Sequence, residues 1–406
     1  MRKLIYMKVL ILLVATSCVE PFDILSEVNK GENIETFLVV EATLTNELKQ
    51  QVVLLGRGRS FANDSIQPVT QNATVTVLDG NGTTFSFSEL EPGRYVSDQT
   101  FQALPSTTYQ LNIINAQNSS FTSEMVSLPE TASITEVYAE RITNDTGVEG
   151  IAIYVDSRVS QGEAPFLRYQ YEETYKVIAP LWSPFDMVVV DPNPPYSLDN
   201  FDLVPRKQEE RVCYSTQRSN RIIQALELNR SGNKVGRNLV RFISRDNFII
   251  SHRYSILVKQ LVQSPDAYSF YRTLNVQSGS EGVFTEIQPG FIEGNISNTN
   301  NPNEKVLGYF EVANQSQERI FFNYEDFFPD EALPPYVISC SFLGAPPVIT
   351  PAGTSPLKDA IDSGLFVYVR DNEGEVFDGG PYFTARRACG DCTVLGSNIV
   401  PDFWIE

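Results

Sequence analysis

The chain has 406 residues, with 50 acidic against 31 basic side chains and a formal net charge of −19 at pH 7. This acidity argues against nucleic-acid binding, which depends on Lys and Arg neutralising phosphates, and against electrostatic adsorption to anionic lipid. The length is sufficient for a large hydrophobic core and for two or three domains.

Residues 1–17 have the pattern of a secretory signal peptide. Three basic residues, Arg2, Lys3 and Lys8, precede an apolar run over Val9–Val14. This run is too short for a membrane-spanning helix, which needs about 20 apolar residues. Small residues at 15–17 are followed by Cys18, as in a bacterial lipobox.

We therefore expect Cys18 to become the lipidated first residue of the mature protein. Several acyl chains would anchor it durably, because each buried CH₂ contributes about 0.8 kcal/mol. An ordinary signal peptide followed by a chance cysteine is the alternative. Residues 18–33 are acidic with little apolar periodicity, and we predict that they form a tether between the lipid and the first folded unit.

Residues 34–130 are predicted to form an immunoglobulin-like β-sandwich. About seven short strands are indicated, with turn signals about every ten residues. Val75 and Val77 alternate with threonines before Asp79–Gly82, whose Asn-Gly pair predicts a hairpin with φ above zero at both turn residues. The tripeptide 64–66 matches a short bacterial O-glycosylation pattern, which makes Ser65 a candidate glycosylation site.

Residues 131–406 are predicted to form a larger β-rich domain with one short helix. Residues 167–177 alternate as one long strand, whose pattern is broken by Glu173, and residues 247–260 indicate another strand. Ser264, Pro265 and Asp266 then have the pattern of a helix N-terminus, so a helix is predicted over residues 265–276. The predicted fold class is mainly β.

A Pro-rich segment, residues 179–205, is predicted to be a long loop, and loops of this length inside a compact domain are often functional. It carries four aromatic residues, Trp182, Phe185, Tyr196 and Phe201. These are candidates for a sugar-binding platform or a protein-docking patch. The alternative is that they fold back and cover the hydrophobic core of the second domain.

Four cysteines besides Cys18 suit an exported protein with two disulfides: Cys213, Cys340, Cys389 and Cys392. One pairing joins Cys389 to Cys392 and Cys213 to Cys340, and a crossed pairing that pins the C-terminal region to the core is equally open. A redox dithiol and a Cys₄ zinc site are alternatives. They are disfavoured by export, by the β-rich surroundings and by the acidic residue between the last two cysteines.

No catalytic residue, metal ligand or cofactor is predicted. His252 is the one histidine, so a Ser-His-Asp triad, a Cys-His pair or a histidine-containing zinc site would have to use it, and its place beside Arg253 favours a structural role. The sequence has no nucleophile elbow, P-loop or dinucleotide-binding glycine motif. Residues 371–375 resemble a calcium loop only superficially, because the turn glycine is out of place.

A set of short motifs spans nearly the whole mature chain: Cys18–Pro21, Leu38–Ala42, Leu44–Asn46, Cys213-Tyr214, Tyr254–Ile256, Ala267–Tyr271, Gly294–Ile296, Leu307–Phe310, Cys389–Cys392, Gly396 and Pro401–Trp404. Together these motifs resemble a Bacteroidota lipoprotein family known as domain of unknown function 4249. Its members are typically encoded beside TonB-dependent outer-membrane transporters. The resemblance therefore implies an accessory lipoprotein of such a β-barrel, and it implies no catalytic residues.

The leading hypothesis from the sequence is a non-catalytic binding module. We expect it to be attached to the outer membrane through its lipid, at the cell surface rather than the periplasmic face, and to need no cofactor. A structural or assembly lipoprotein of a surface, secretion or envelope-biogenesis complex is the second hypothesis. An enzyme acting on glycan or peptide is the third.

Overall fold

The structure is a computed structural model that describes residues 36–59, 70–159, 166–225, 230–231, 234–278, 291–341, 343–373 and 379–406. Cys18, Ser65, the signal peptide and the tether up to residue 33 lie outside the described residues, as does part of the calcium-like segment 371–375.

The described residues between 36 and 127 form eight strands, and in several of them buried side chains alternate with more exposed ones. They are β1 (Thr36–Thr45), β2 (Val52–Arg59), β3 (Thr74–Asp79), β4 (Thr84–Glu91), β5 (Arg94–Ser97), β6 (Thr108–Ile114), β7 (Ser120–Ser123) and β8 (Val126–Ser127). In β3, for example, Val75 and Val77 are buried, as the period of two predicts.

The turn between β3 and β4 differs from the expected one. Only Gly82 has a positive φ, of 89°. The Asp79 carboxylate accepts hydrogen bonds from the backbone N–H groups of Asn81 (2.9 Å) and Thr83 (2.7 Å). This side-chain cap stabilises a longer turn, in which one left-handed residue is sufficient.

The later strands belong mostly to the second half of the chain. They are β9 (Ala132–Thr143), β10 (Glu149–Val159), β11 (Phe166–Ile178), β12 (Phe185–Val189), β13 (Phe201–Pro205), β14 (Val212–Arg218), β15 (Ile223–Gln224), β16 (Arg230–Ser231), β17 (Lys234–Ser244), β18 (Arg253–Gln263), β19 (Ile296–Asn298), β20 (Val306–Asn323), β21 (Phe366–Asp371) and β22 (Tyr382–Arg386). The prediction of a mainly β protein is confirmed.

The predicted helix is present as α1 (Pro265–Ser278), and the Ser264 hydroxyl accepts a hydrogen bond from the N–H of Ala267. The described residues contain two further α-helices, α2 (Pro356–Asp362) and α3 (Arg387–Gly390), where only one helix was expected. The signal for α2 was available, because Ser355 precedes its first proline as an N-cap.

The strand predicted over residues 247–260 is wrong in its first part. Residues 248–250 form a 3₁₀ turn, because the Asn247 side chain accepts a hydrogen bond from the N–H of Ile249 at 3.2 Å. The strand itself, β18, begins at Arg253. The turn consists of the apolar residues Phe248, Ile249 and Ile250, which resemble a strand in the sequence.

Hydrogen bonding links most strands into one 14-stranded sheet. Its main order is β14-β11-β18-β20-β1-β2-β5-β4-β3-β6-β7-β19, with β15 beside β11 and β8 beside β6. An immunoglobulin sandwich divides its strands between two sheets, whereas β1 to β8 all belong to this one continuous series, so the immunoglobulin-like detail is not confirmed.

A second, four-stranded sheet, β16-β17-β10-β9, shares a hydrophobic core with the β11 and β18 part of the large sheet. The other large core lies among β1 to β7. It also contains Ile296, Val306, Phe310 and Val312, so residues well beyond 130 complete the N-terminal half.

Strand β20 joins the two halves by changing its pairing partner. Residues 306–313 pair in parallel with β1, and residues 314–323 pair antiparallel with β18. In the first part, Gly308 has a φ of 156°, and a Cβ there would lie 2.2 Å from the carbonyl oxygen of Val40. The parallel pairing therefore requires glycine at this position.

The Asn295 side chain supports the same part of β20. Its amide nitrogen donates to the carbonyl of Phe310 at 2.9 Å, and its amide oxygen accepts from the N–H of Phe310 at 2.8 Å. Both residues are buried, so these backbone groups have no access to water. Asn295 thus replaces one residue of a neighbouring strand.

Buried charges cross the junction between the halves. The Arg168 guanidinium on β11 pairs with the Glu311 carboxylate on β20 at 2.5 Å, and Gln263 donates to the same carboxylate at 2.6 Å. Arg168 also lies over the ring of Tyr271 on α1, 4.2 Å from its centre. Burial disfavours the charged guanidinium, but the Glu311 charge outweighs this effect and raises the pKa of Arg168.

A second buried pair connects the two sheets. Glu173, which broke the alternation of its strand, accepts two hydrogen bonds from Arg241 on β17 at 3.0 and 3.1 Å and one from the Tyr254 hydroxyl at 2.6 Å. The Glu173 side chain can point into the core because the Arg241 guanidinium neutralises its charge there. The break in the pattern therefore marks a cross-sheet ion pair.

We predict that Glu311→Ala lowers the free energy of unfolding by about 3–5 kcal/mol, because it leaves the Arg168 charge buried without a counter-ion. Denaturant unfolding followed by circular dichroism measures this. Lys358→Ala is the control, since its ion pair with Asp362 is partly exposed and should contribute less than about 1 kcal/mol. Equal effects of the two substitutions would contradict the role of Glu311 as the counter-ion of the buried Arg168.

Asn295→Ala should cost about 2–3 kcal/mol, because it leaves the buried N–H and C=O of Phe310 unpaired. The same unfolding measurement applies. Asn303→Ala, an exposed asparagine in the turn before β20, serves as the matched control and should change stability by less than about 0.5 kcal/mol. A loss of stability in Asn295→Ala no larger than that in the control would show that β20 does not need the two hydrogen bonds from Asn295.

Candidate functional site

The four cysteines bring the C-terminal region onto the core. The structure has the crossed pairing: Cys213 is bonded to Cys392 and Cys340 to Cys389, over sequence separations of 179 and 49 residues. In the chain-entropy model, loops of these lengths correspond to about 5 and about 4 kcal/mol of stabilisation when each is considered alone. The local pair between Cys389 and Cys392 is not formed.

Asp391, between the last two cysteines, is buried and fully engaged. Its carboxylate accepts hydrogen bonds from the N–H of Thr393 at 2.9 Å, from the Thr393 hydroxyl at 2.5 Å and from the Arg387 guanidinium at 2.8 Å. Burial alone would raise the pKa of Asp391, but these hydrogen bonds outweigh burial and lower it. Asp391 therefore remains ionised at neutral pH and fixes the local backbone.

Residues 396–406, here called the C-terminal tail, lie along the edge strand β14. Ser397 exchanges two backbone hydrogen bonds with Tyr214, at 2.8 and 2.9 Å. The Trp404 ring packs against Tyr214 and Phe321, with ring centres 4.9 and 5.9 Å apart. The tail thus covers part of an edge that would otherwise expose unpaired backbone groups.

Charged contacts fasten the far part of the tail. The Arg319 guanidinium lies 3.6 Å from the ring centre of Phe403, and Arg253 donates to the carbonyl of Ile405. Lys176 donates to both oxygens of the Glu406 carboxylate, at 3.0 and 2.9 Å. These contacts leave apolar side chains of the tail in water: Ile399, Val400 and Ile405 are each more than half exposed.

The segment 179–205 is not the structureless loop that its prolines indicated. Its two ends pair as the antiparallel hairpin β12–β13, with Phe185 opposite Pro205 and Val189 opposite Phe201. The hairpin forms because Met187 and Phe201 bury their side chains with Leu357 and Tyr368 in a small separate core. Helix α2 and the hairpin β21–β22 contribute to the same small core. We call this group of elements the C-terminal lobe.

The four predicted binding-loop aromatics do not form one surface. Phe201 is 8% exposed in the core of the C-terminal lobe, and Trp182 packs against the large core. Tyr196 is half-buried and donates from its hydroxyl to the carbonyl of Pro192. Phe185 is 42% exposed. Among these four, Phe185 alone is largely open to a ligand or partner.

His252 lines an open cavity of about 480 Å³ beneath the tail, together with Lys176, Arg253, Glu325 and Glu406. Burial and the Lys176 charge lower the pKa of His252, so the imidazole is neutral at pH 7. Among the described residues, His252 has no hydrogen bond to Glu325 or to the adjacent Ser251. The arrangement of a general base with an activated nucleophile is therefore not seen here.

A second open groove, of about 510 Å³, lies between α1 and residues 291–295. Phe270, Phe291 and Tyr309 give it an aromatic lining, and the exposed carboxylates of Glu124, Asp266 and Glu293 lie around it. Sequence reasoning did not find this groove, because its lining comes from segments far apart in the chain.

No group of three or more His, Cys, Asp or Glu side chains in the described part of the chain could hold a metal ion. Across the same residues, no helix combines the length and the apolar character needed to cross a membrane. The described residues form a β scaffold with a fastened tail and several solvent-open grooves.

The predicted aromatic patch can be tested by paired substitutions. Phe201→Ala should lower stability by about 3 kcal/mol because it empties a buried site, whereas Phe185→Ala should change it by less than about 0.5 kcal/mol. Denaturant unfolding of both variants gives the comparison. A large cost for Phe185→Ala would show that this ring packs internally.

The comparison with family models identifies the family, and the other two comparisons add little. No curated protein matches the chain. A crystal structure of a DUF4785 family protein from Legionella pneumophila matches with a TM-score of 0.18 and 12% sequence identity, over 57% of this chain and 54% of that chain. The chain thus spans about half the length of that protein, and a similarity this low carries no argument about function.

A family model described as Domain of unknown function (DUF4249) matches residues 19–319. This span includes the motifs at 38–46, 213–214, 254–256, 267–271, 294–296 and 307–310, whereas the tail motifs lie beyond it. The match covers more than half of the 406 residues. The chain therefore belongs to the DUF4249 family.

Proposed function

We propose that the protein is an outer-membrane lipoprotein and acts as a non-catalytic accessory subunit of a TonB-dependent transporter. The lipobox pattern ending at Cys18 is the observation that carries this proposal, because it puts a lipid anchor directly before an acidic tether. We place the folded part at the cell surface rather than on the periplasmic face.

The distribution of charged side chains supports a binding role. Glu173 and Glu311, two buried carboxylates with ionic partners, hold sheets and strands together and are closed to substrate. The open features are grooves and exposed apolar side chains on the tail. Such features suit contact with a partner or cargo.

The proposal rests further on the family. The resemblance implies a barrel partner, since members are typically encoded beside TonB-dependent transporters. A lipid anchor would confine the folded part next to such a barrel and raise their effective concentration, so that even a weak contact would be maintained.

Cys18→Ala should release a folded protein that no longer associates with a barrel. Full-length tagged protein is extracted from cells in mild detergent after cross-linking, and co-purifying proteins are identified by mass spectrometry. We expect a TonB-dependent barrel with the unmodified chain and none with Cys18→Ala. Ser17→Ala is the matched control, because it keeps a small residue before the cysteine and should keep the barrel.

Three outcomes would count against the proposal. Recovery of no barrel, even after cross-linking, would contradict it directly. Recovery of a barrel devoted to assembly or secretion would favour the structural or assembly role. Unchanged association of Cys18→Ala would show that the tether is incidental. Protease treatment of intact cells tests the orientation, since only a surface-exposed protein is cleaved.

A further inference from the structure

The disulfide pairing poses a choice that the chain must resolve. Cys389 and Cys392 are three residues apart, and Cys-x-x-Cys pairs form local disulfides in oxidoreductases. Closing so short a loop costs far less chain entropy than joining residues 49 or 179 positions apart. The local pair should therefore form readily during oxidation, yet the folded protein has the crossed pairing.

The backbone between these two cysteines is broken into two separate turns. Helix α3 ends at Gly390, and a 3₁₀ turn begins at Cys392. Asp391 lies between them in an extended conformation, with φ −143° and ψ 104°. In an uninterrupted helix, residues three apart lie on one face. Here the extended residue separates the two cysteines, and each meets a different partner.

The Asp391 carboxylate maintains this break from both sides. Towards the second turn, it accepts from the N–H of Thr393 and caps that turn. Towards the first helix, it pairs with Arg387 at 2.8 Å. Asp391 is 1% exposed, so its loss removes a buried acceptor from the partly buried N–H and hydroxyl of Thr393, whereas the half-exposed Arg387 guanidinium keeps its access to water.

Each cysteine is also fixed from outside the motif. The carbonyl of Cys389 accepts from the N–H of Leu181, and the N–H of Cys392 donates to the carbonyl of Glu210, both at 2.8 Å. Gly390 lets the chain approach closely, because a Cβ there would lie 2.7 Å from a methyl group of Val367. The two cysteines are thus tied to different segments on either side of Asp391.

We propose that Asp391 is a positioning residue that selects the crossed disulfide pairing over the local pair between Cys389 and Cys392. The selection acts by thiol–disulfide exchange. If the local disulfide forms first, the Cys213 thiolate attacks the Cys392 sulfur, the Cys213–Cys392 bond forms, and Cys389 leaves as the thiolate. This exchange transfers no net electrons.

The second bond completes the pairing. The thiols of Cys389 and Cys340 are oxidised to a disulfide and lose two electrons and two protons, which reduce one molecule of glutathione disulfide to two of glutathione. Asp391 favours the crossed product because its capping hydrogen bond from the N–H of Thr393 forms only when Asp391 is extended and the two turns are separate. The consequence reaches the tail, since the Cys213–Cys392 bond joins β14 to the residues just before the tail.

The test is oxidative refolding of the full chain in a buffer of reduced and oxidised glutathione. Disulfide-linked peptides are quantified by mass spectrometry under non-reducing conditions, with the pairing in denaturant as the unselected reference. We expect the crossed pairing to dominate in the unmodified chain. In Asp391→Ala the fraction with Cys389 bonded to Cys392 should rise at least about tenfold, since an energy difference of 1.4 kcal/mol already gives a factor of ten.

Two further variants make the outcome decisive. Asp391→Asn keeps an acceptor for Thr393 but loses the charge opposite Arg387, so its local-pair fraction should be intermediate. Asp402→Asn, an exposed acid in the tail, should match the unmodified chain. If Asp391→Ala has the same pairing as the denatured reference, that variant has failed to fold and Asp391→Asn gives the answer. An intermediate fraction of the local pair in Asp391→Asn then supports the proposal, and native pairing contradicts it. Native pairing at an unchanged rate in both Asp391 variants would overturn the proposal.

Discussion

The fold depends on one long strand, β20, which pairs in parallel with β1 over its first part and antiparallel with β18 over its second. This exchange makes one sheet out of strands that are far apart in the sequence. The exchange puts Glu311 in the interior, where it must be neutralised by Arg168. The backbone there must also pass close to Val40, which only Gly308 allows. Both requirements, a counter-ion for Glu311 and a glycine at position 308, follow from the position of β20 between the two halves.

The same strand carries the C-terminal region at its other end. Phe321 on β20 contacts Trp404, and the Cys213–Cys392 bond connects β14 to the residues just before the tail. The start of β20 pairs with the start of β1, which follows the tether in the sequence. The tail is held near the other end of β20. If the lipid fastens the N-terminal end to a membrane, as we propose, the Phe321–Trp404 contact that holds the tail lies towards the far end of β20 from the residues that pair with the start of β1.

Particular elements show how far sequence reasoning reached. The strands of the N-terminal half and the helix α1 could be predicted because their signals are local: an alternation of period two, and a Ser-Pro-Asp start. The hairpin β12–β13 was missed because its prolines and aromatics resemble a loop, and its burial depends on Leu357 and Tyr368, more than 150 residues later. Glu173 was recognised as a break in the pattern, but its partner Arg241 lies on another sheet and could not be named.

By itself, the sequence determined the export signal pattern, the mainly β class, the number of cysteines and the family to which the chain belongs. These properties reside in composition and in motifs a few residues long. Only the tertiary structure decided which cysteines pair, which of the four aromatics remain exposed, and how β20 divides its partners between β1 and β18. Those outcomes depend on contacts between residues distant in the chain, where many arrangements satisfy the same local pattern and only packing and charge neutralisation distinguish them.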